Sequence, residues 1–154
     1  MKALVVYDSV SQAKVTEKVA EAVVAGMREG GLDVDSFFVE SAGNAKVKDY
    51  DCLVVGAPTM AWRPSERMKR YLAGLNPSDC SGRMAASFDT QLKSMMSGNA
   101  TKHMEKSLRG LGFSIAHAAL LSYVESENKM YRLKAGELEK SKAWGTDLAK
   151  ALMK

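Results

Sequence analysis

Hydroxyl groups and a lysine follow the first apolar run of this sequence, where they could bind an anion. The stretch is KALVVYDSVSQAKVT, residues 2–16. Its candidate ligand-binding side chains are Ser9, Ser11, Lys14 and Thr16. If the run is a buried strand that leads into a helix, these groups lie beside the unpaired amides of the first helical turn, which attract anions. The stretch contains no glycine to fold the backbone around an anion, so hydroxyls that merely cap the helix are an equally open interpretation.

A second segment, GAPTMAWRPS, has residues suited to a flat ligand. Gly56 permits a close approach of the backbone. Trp62 lies in a polar, turn-rich stretch, where an indole can stack on a heteroaromatic ring. The alternative is a hydrophobic lid packed on a neighbouring helix, and the flanking Arg63 favours the exposed arrangement. Backbone contacts to the same ligand would come from Thr59 and Met60.

A third segment, FDTQLKSMMSGN, places Asp89 and Thr90 directly after another apolar run. Asp89 could accept hydrogen bonds from ligand hydroxyls or ring nitrogens, or it could cap a local turn. Met95 and Met96 could line an apolar pocket, although paired methionines equally often serve as packing. His103 is better interpreted as a surface residue than as a catalytic base, because no Ser, Cys or Asp stands at a useful spacing.

Alternating strand and helix patterns position these three segments. Apolar runs predict strands over 2–7, 32–39 (an edge strand), 52–58, 83–90 and 114–125. Helical spacing predicts helices over 15–29, from Pro64 to about 75, from a cap at Ser97 to Gly112, and over 137–152. In the last helix the inward positions are Leu138, Trp144, Leu148 and Leu152, so Trp144 is predicted to be a core residue.

Near-continuous apolar strands that alternate with helices indicate a parallel sheet covered on both faces, of the doubly wound α/β class. Ligands of such sheets bind beyond the carboxyl ends of the strands. The segments after strands one, three and four are therefore expected to meet in one site.

Composition narrows the functional class. The 154 residues are 46% hydrophobic and 26% charged, as expected for one globular domain over 1–154. The net charge of +4 is spread along helices, which does not favour a nucleic-acid surface. No apolar run approaches the ~20 residues of a membrane span and no leader sequence is evident, so we expect a cytoplasmic protein. Cys52 and Cys80 are expected to be free thiols, and two isolated histidines leave no metal site.

Four segments together resemble the flavodoxin family and cover essentially the whole chain. They are KALVVYDS with TEKVAEAVVAGMREGGLDV, DCLVVGAPTMAWRPSERMKRYLAGL, SFDTQLKSMMSGNATKHMEKSLRGLGFSI, and GELEKSKAWGTDLAKAL. The resemblance implies a five-stranded parallel sheet in the order 2-1-3-4-5, with helices on both faces. It also implies noncovalent FMN, with the phosphate in the first loop and the ring between the second and third.

The resemblance assigns the cofactor site residue by residue. The phosphate loop would comprise Ser9, Ser11, Gln12, Ala13, Lys14 and Thr16. The loop beside the ring would comprise Pro58, Thr59, Met60, Ala61 and Trp62, and the loop opposite would comprise Phe88, Asp89 and Thr90. The first loop departs from the family pattern between Gln12 and Val15, where it is about two residues longer and lacks Gly and Asn.

Three functional hypotheses follow from the resemblance. The leading one is an FMN-binding electron carrier, monomeric or homodimeric, whose basic charge favours an acidic redox partner protein. The second is a flavodoxin-fold binding or regulatory module that has lost FMN. The third is a small FMN-dependent quinone or flavin reductase, and a carrier is favoured over such a dedicated enzyme because no second nucleotide motif is present.

Overall fold

The computed structural model describes residues 1–9, 14–59, 63–92, 99–127 and 130–154. The strands are β1 (Lys2–Tyr7), β2 (Asp33–Phe38), β3 (Cys52–Pro58), β4 (Met84–Leu92), β5 (Ser114–Ile115), β6 (Leu120–Glu127) and β7 (Met130–Leu133). The helices are α1 (Val15–Glu29), α2 (Glu66–Ala73), α3 (Pro77–Cys80), α4 (Ala100–Gly110) and α5 (Glu137–Leu152), with short 3-10 helices at Val39–Asn44 and Val47–Asp49.

The strands form one sheet in the order β2-β1-β3-β4-β6-β7, and the short β5 also pairs with β4. All pairings are parallel except the antiparallel β6–β7 pair. This arrangement confirms the predicted α/β class and the predicted order 2-1-3-4, with β2 at the edge. The carboxyl ends of β1, β3 and β4 therefore lie side by side.

The predicted fifth strand is divided, and a further strand follows it. Both β5 and β6 pair with β4, with a gap at 116–119 between them. The Trp144 indole donates a 2.7 Å hydrogen bond to the Ala118 carbonyl and so satisfies a backbone acceptor in this gap. The further strand is β7, which pairs antiparallel with β6, and its Leu133 packs against the core.

Two hydrophobic clusters cover the two faces of the sheet. On one face α1 and α5 pack on the strands through buried residues that include Val19, Val23 and Leu148. On the other face α2 and α4 contribute residues such as Met68 and Met104. In the part of the chain that the structure describes, no helix is long and apolar enough to cross a membrane.

Glycines allow α1 and α5 to pack closely. A Cβ atom added at Gly26 would lie 2.0 Å from the Lys142 carbonyl oxygen, and one added at Gly145 would lie 2.3 Å from the Val23 carbonyl oxygen. Because both clashes are with backbone atoms, a side-chain rotation could not relieve them. The two helices therefore require glycine at their crossing.

Several details differ from the sequence prediction. Helix α2 begins at Glu66, with Ser65 as its N-cap, so Pro64 precedes the helix and is not in its first turn. The N-cap of α4 is Asn99, whose side chain accepts a hydrogen bond from the Thr101 amide, while Ser97 lies outside the described residues. Leu138 is 43% exposed, so its predicted inward position is wrong.

The two cysteines are free thiols, as predicted, and both are buried. Burial raises the pKa of the Cys52 thiol to about 12, which makes it a poor nucleophile. Cys80 ends α3 with its side chain in the core.

Candidate functional site

Hydrogen bonds join the three predicted loops at the carboxyl edge of the sheet. The hydroxyls of Thr16 on α1 and Thr90 on β4 lie 2.8 Å apart and are buried. The Thr59 amide donates to the Thr90 carbonyl at 2.9 Å, which holds the start of the second loop against β4. The Thr59 hydroxyl donates to Asp89 at 2.9 Å and accepts from the Ala100 amide at 3.0 Å. Residues from all three loops thus form one connected network.

The first loop enters α1 through an unusual backbone conformation. Lys14, the N-cap of α1, is left-handed (φ 51°, ψ 45°) and is the one positive-φ residue other than glycine in the described part of the chain. Its side chain does not cap the first turn of the helix. The Ser9 hydroxyl is buried and has no hydrogen-bond partner among the described residues. The described residues thus leave the Ser9 hydroxyl without a partner and the first turn of α1 without a side-chain cap.

A buried carboxylate lies directly before that loop. Asp8 ends the β1 segment with no solvent exposure, and its two oxygens lie 2.7 Å from Nη2 and 3.1 Å from Nε of Arg67. The Ser65 hydroxyl donates to the same carboxylate at 2.6 Å. Arg67 also contacts the Glu40 carboxylate at 3.2 Å and the Phe38 ring, whose centroid is 5.0 Å away. This group, Asp8 with Ser65 and Arg67, ties the end of β1 to the start of α2.

The carboxylates of Asp8 and Glu40 also change the pKa of Arg67. Its hydrogen bond to Asp8, followed by that to Glu40, raises the pKa of the guanidinium. Bidentate pairing of this kind fixes the orientation of the planar guanidinium. Sequence reasoning did not identify this group, although an aspartate directly after a buried apolar strand was a usable signal.

Asp89 is a second buried carboxylate, without a cation beside it among the described residues. Its Oδ2 atom accepts hydrogen bonds from the Thr59 hydroxyl at 2.9 Å and from the side-chain amide of Gln91 at 2.7 Å. Its Oδ1 atom is buried and accepts no well-formed hydrogen bond, although the nearby amides of Ser122 and Ala100 favour the ionised form. Burial outweighs these donors and raises the pKa of Asp89 to about 6.

Phe88 and Gly56 form a packing pair. Phe88 is fully buried, and a Cβ atom at Gly56 would lie 2.1 Å from its ring. The group that approaches the Gly56 backbone closely is therefore this ring. The Phe88 side chain packs in the core of the sheet next to the site. Pro58 is the last residue of β3.

The structure thus places part of the predicted site. It brings together Thr16, Thr59, Asp89 and Thr90 through hydrogen bonds, and it places Lys14 at the start of α1 and Ser9 after the end of β1. Eight predicted residues lie outside the described part of the chain, namely Ser11, Gln12, Ala13, Met60, Ala61, Trp62, Met95 and Met96. The cofactor contacts predicted for all of these residues stay predictions.

The described donors fit a phosphate monoester at the first loop. Ser9 offers an unpaired hydroxyl, and one hydroxyl proton of the Thr16–Thr90 pair is left over after they bond to each other. The amides of the first turn of α1 and the Lys14 charge add to the attraction for an anion. The negative charge of Asp8 is opposed by Arg67 before any ligand arrives. The arrangement can therefore bind an anion by hydrogen bonds at the end of β1.

Comparison with known proteins gives matches among solved structures. No protein-family model matches this sequence, and no curated protein sequence matches it either. A flavodoxin from the domain Archaea superposes with a TM-score of 0.79 at 21% identity, over 100% of both chains. Oxidised flavodoxin 1 from Bacillus cereus gives a TM-score of 0.77 at 18% identity, over 97% of this chain and 98% of that one.

A larger protein contains a similar unit. The rubredoxin oxygen:oxidoreductase of Desulfovibrio gigas matches with a TM-score of 0.77 at 20% identity, over 99% of this chain and 36% of its own. At these identities the likeness establishes the fold. Together with the observed strand order, these matches show that the chain has a flavodoxin-like fold.

Proposed function

We propose that this protein binds FMN at the carboxyl edge of its sheet and acts in electron transfer. The observation that carries the proposal is the buried Ser9 hydroxyl after β1, which has no partner among the described residues, together with the first turn of α1, which no side chain caps. A buried donor without an acceptor costs free energy that a bound phosphate would return. The flavodoxins with similar structures support the choice of FMN as the ligand.

FMN would supply the redox chemistry, and the protein would supply binding and orientation. Ser9, Lys14 and Thr16 would hold the phosphate. The hydrogen bond between Thr59 and Asp89 would hold the second and third loops together. Trp62 would stack on the flavin ring between these loops. The basic net charge of +4 would steer association with an acidic redox partner protein.

A flavin titration tests the proposal. Purified protein is examined for absorption between about 350 and 500 nm, where bound flavin absorbs, and is then titrated with FMN and with riboflavin while flavin fluorescence is followed. We expect saturable quenching by FMN and weaker binding of riboflavin, which lacks the phosphate. Ser9→Ala should weaken FMN binding roughly tenfold, since a hydrogen bond to a charged group contributes about 1.5–3 kcal/mol. It should leave riboflavin binding nearly unchanged.

Ser36→Ala is the matched control, because Ser36 is an exposed serine on the edge strand β2. It should bind FMN as the unaltered protein does. No uptake at high micromolar FMN would refute the proposal. Equal effects of Ser9→Ala on FMN and riboflavin would refute the assignment of Ser9 to the phosphate.

One observation favours a second candidate, a flavodoxin-fold module that does not bind FMN. The carboxylate of Asp8 is fully buried beside the loop, and Arg67 also contacts Glu40, so the two carboxylates share one guanidinium. An anionic ligand would then meet residual negative charge. A folded protein indifferent to FMN, which gains FMN binding when glycines replace Gln12 and Ala13, would support this account.

A further inference from the structure

A groove lies outside the proposed flavin site, between the 3-10 helix at Val39–Asn44 and helix α2. Its volume is about 400 Å³, which falls in the range of small-molecule sites. The lining residues are Val39, Glu40, Gly43, Arg67, Arg70 and Tyr71. They combine two cations and one carboxylate with apolar surface.

The two arginines differ in their existing partners. The Arg70 side chain is exposed and makes no hydrogen bond or ion pair with any residue in the described ranges. Arg67 is held in place by the buried Asp8 carboxylate, 2.7 Å from its Nη2 atom, and lies over the Phe38 ring. The groove therefore contains one cation that is free to move towards a ligand and one in a fixed position.

The opposite part of the groove is mostly apolar and is formed mainly by Tyr71. Val39 is buried with 7% of its surface exposed, and Tyr71 is partly buried against the core of the α2 face, with its hydroxyl lacking a partner among the described residues. A Cβ atom at Gly43 would meet no atom within 4 Å, so nothing among the described residues fills the space beside it. A ligand with a flat apolar part would bury that part against Val39 and Tyr71, which is favourable in proportion to the area removed from water.

Glu40 already holds the position of an anion in this groove. Its carboxylate accepts a hydrogen bond from Nη1 of Arg67 at 3.2 Å, while its side chain is 64% exposed. Exposed ion pairs of this kind are weak, because water screens the charges and two side chains must be ordered. A carboxylate from a ligand could replace Glu40 at Arg67 and gain a second cation, Arg70.

We propose that the groove binds a small organic acid, with its carboxylate held by Arg70 and Arg67 and its flat apolar part against Val39 and Tyr71. Glu40 competes for the same cation and so lowers the affinity. None of the residues proposed to hold FMN lines the groove, although Arg67 links it to Asp8 at the end of β1, and occupation of the groove does not require a flavin.

Titration of ¹⁵N-labelled protein with benzoate tests the proposal. Sodium benzoate is added at constant ionic strength and neutral pH, and the amide shifts of Gly43 and Tyr71 are followed. We expect saturable shifts at both amides with a Kd on the order of 1 mM, as suits a ligand of this size. Benzamide, which has the same shape without the charge, should bind at least several-fold more weakly.

Two substitutions with opposite expected effects on benzoate affinity make the test specific. Arg70→Met should weaken benzoate binding roughly fivefold, and Glu40→Gln should strengthen it roughly threefold, the sizes expected for partly exposed ion pairs. Lys69→Met is the matched control, because Lys69 adjoins Arg70 on α2, pairs with Glu66 at 2.6 Å and does not line the groove. It removes the same charge and should leave the Kd unchanged.

Three results would overturn the proposal. One is the absence of saturable shifts at Gly43 and Tyr71 up to 50-fold above the expected Kd. The second is equal weakening by Arg70→Met and Lys69→Met, which would indicate a general effect of net charge. The third is weaker binding to Glu40→Gln. The protein is used as purified, so a failed FMN titration does not change how these results are interpreted.

Discussion

Protonation of Asp89 should make the stability of this protein depend on pH in an unusual direction. Asp89 has no solvent exposure and no cation beside it among the described residues. Burial raises its pKa from the ordinary 3.8 to about 6. Between these two values the folded protein keeps a proton on Asp89 that the unfolded chain has released. The folded state therefore binds more protons, and stability must fall as the pH rises through this window.

The size of the effect follows from the two pKa values. Their difference, from 3.8 to about 6, corresponds to about 3 kcal/mol at 25 °C. The stabilisation is complete below pH 3.8, decreases up to about pH 6 and is absent above it. At neutral pH the ionised carboxylate is thus a cost that the hydrogen bonds from Thr59 and Gln91 only partly offset.

Asp89→Asn isolates this contribution, because the amide has nearly the same shape and does not titrate. Urea unfolding of both proteins at several pH values from 4 to 7 gives the difference in their free energies of unfolding. Groups common to both proteins cancel in that difference. We expect the variant to match the unaltered protein near pH 4 and to be more stable by about 3 kcal/mol at pH 7.

Asp147→Asn serves as the control, because Asp147 is exposed on α5. Its difference from the unaltered protein is measured over the same pH range and subtracted, so that what remains for Asp89→Asn is the effect of burial. A constant difference for Asp89→Asn from pH 4 to 7 would refute the reasoning, as would a variant that is less stable at pH 7 than at pH 4 relative to the unaltered protein.

Three further substitutions test the local structure, each by urea unfolding. Gly26→Ala should destabilise the fold by about 1–3 kcal/mol, since its Cβ would lie 2.0 Å from the α5 backbone. The control is Gly43→Ala, whose Cβ meets nothing within 4 Å. Equal stability of the two variants would contradict the packing argument. Lys14→Gly should stabilise by about 0.5–1 kcal/mol by removing left-handed strain, whereas Lys18→Gly in the middle of α1 should destabilise by about 1 kcal/mol. Trp144→Phe should destabilise by about 1–3 kcal/mol, because a carbonyl between β5 and β6 loses its donor, and an unchanged stability would show that water replaces the indole.

The fold could be predicted because its signals are local in the sequence. Buried parallel strands form apolar runs, and helices show the 3.6-residue spacing, so α1 and α5 begin and end where the pattern places them. The break at 116–119 could not be predicted in the same way. It depends on Trp144, which is distant in sequence and supplies the hydrogen bond that makes the break tolerable.

The meeting of the three loops at one edge of the sheet was predictable, but their internal contacts were not. Hydroxyls and a carboxylate near the ends of apolar strands pointed to this edge, and Thr16, Thr59 and Thr90 do meet there. The role of Gly56 could not be read from the sequence, because it depends on the Phe88 ring from a neighbouring strand. The Asp8–Arg67 pair joins residues 59 positions apart, and no spacing rule connects them.

Asp8 and Asp89 are two buried carboxylates in the same part of the sheet, and their hydrogen-bond and charge partners differ. Both are fully buried, Asp8 directly after β1 and Asp89 within β4, but Asp8 is paired with Arg67 and Ser65, whereas Asp89 has only neutral donors. Removal of the partner from a buried ion pair leaves an uncompensated charge, so Arg67→Met should destabilise by about 3–5 kcal/mol. Addition of Asp8→Asn to that variant should restore most of the loss.

Neutralising the two aspartates should therefore change the stability of the protein in opposite directions. Neutralising Asp89 should stabilise the protein at pH 7, because its charge lacks a partner cation among the described residues, whereas neutralising Asp8 alone should destabilise it, because Arg67 would lose its bidentate acceptor. Urea unfolding of Asp8→Asn and Asp89→Asn at pH 7 measures both signs. If the two substitutions shift stability in the same direction, pairing with Arg67 does not distinguish them, and the electrostatic account of this edge fails.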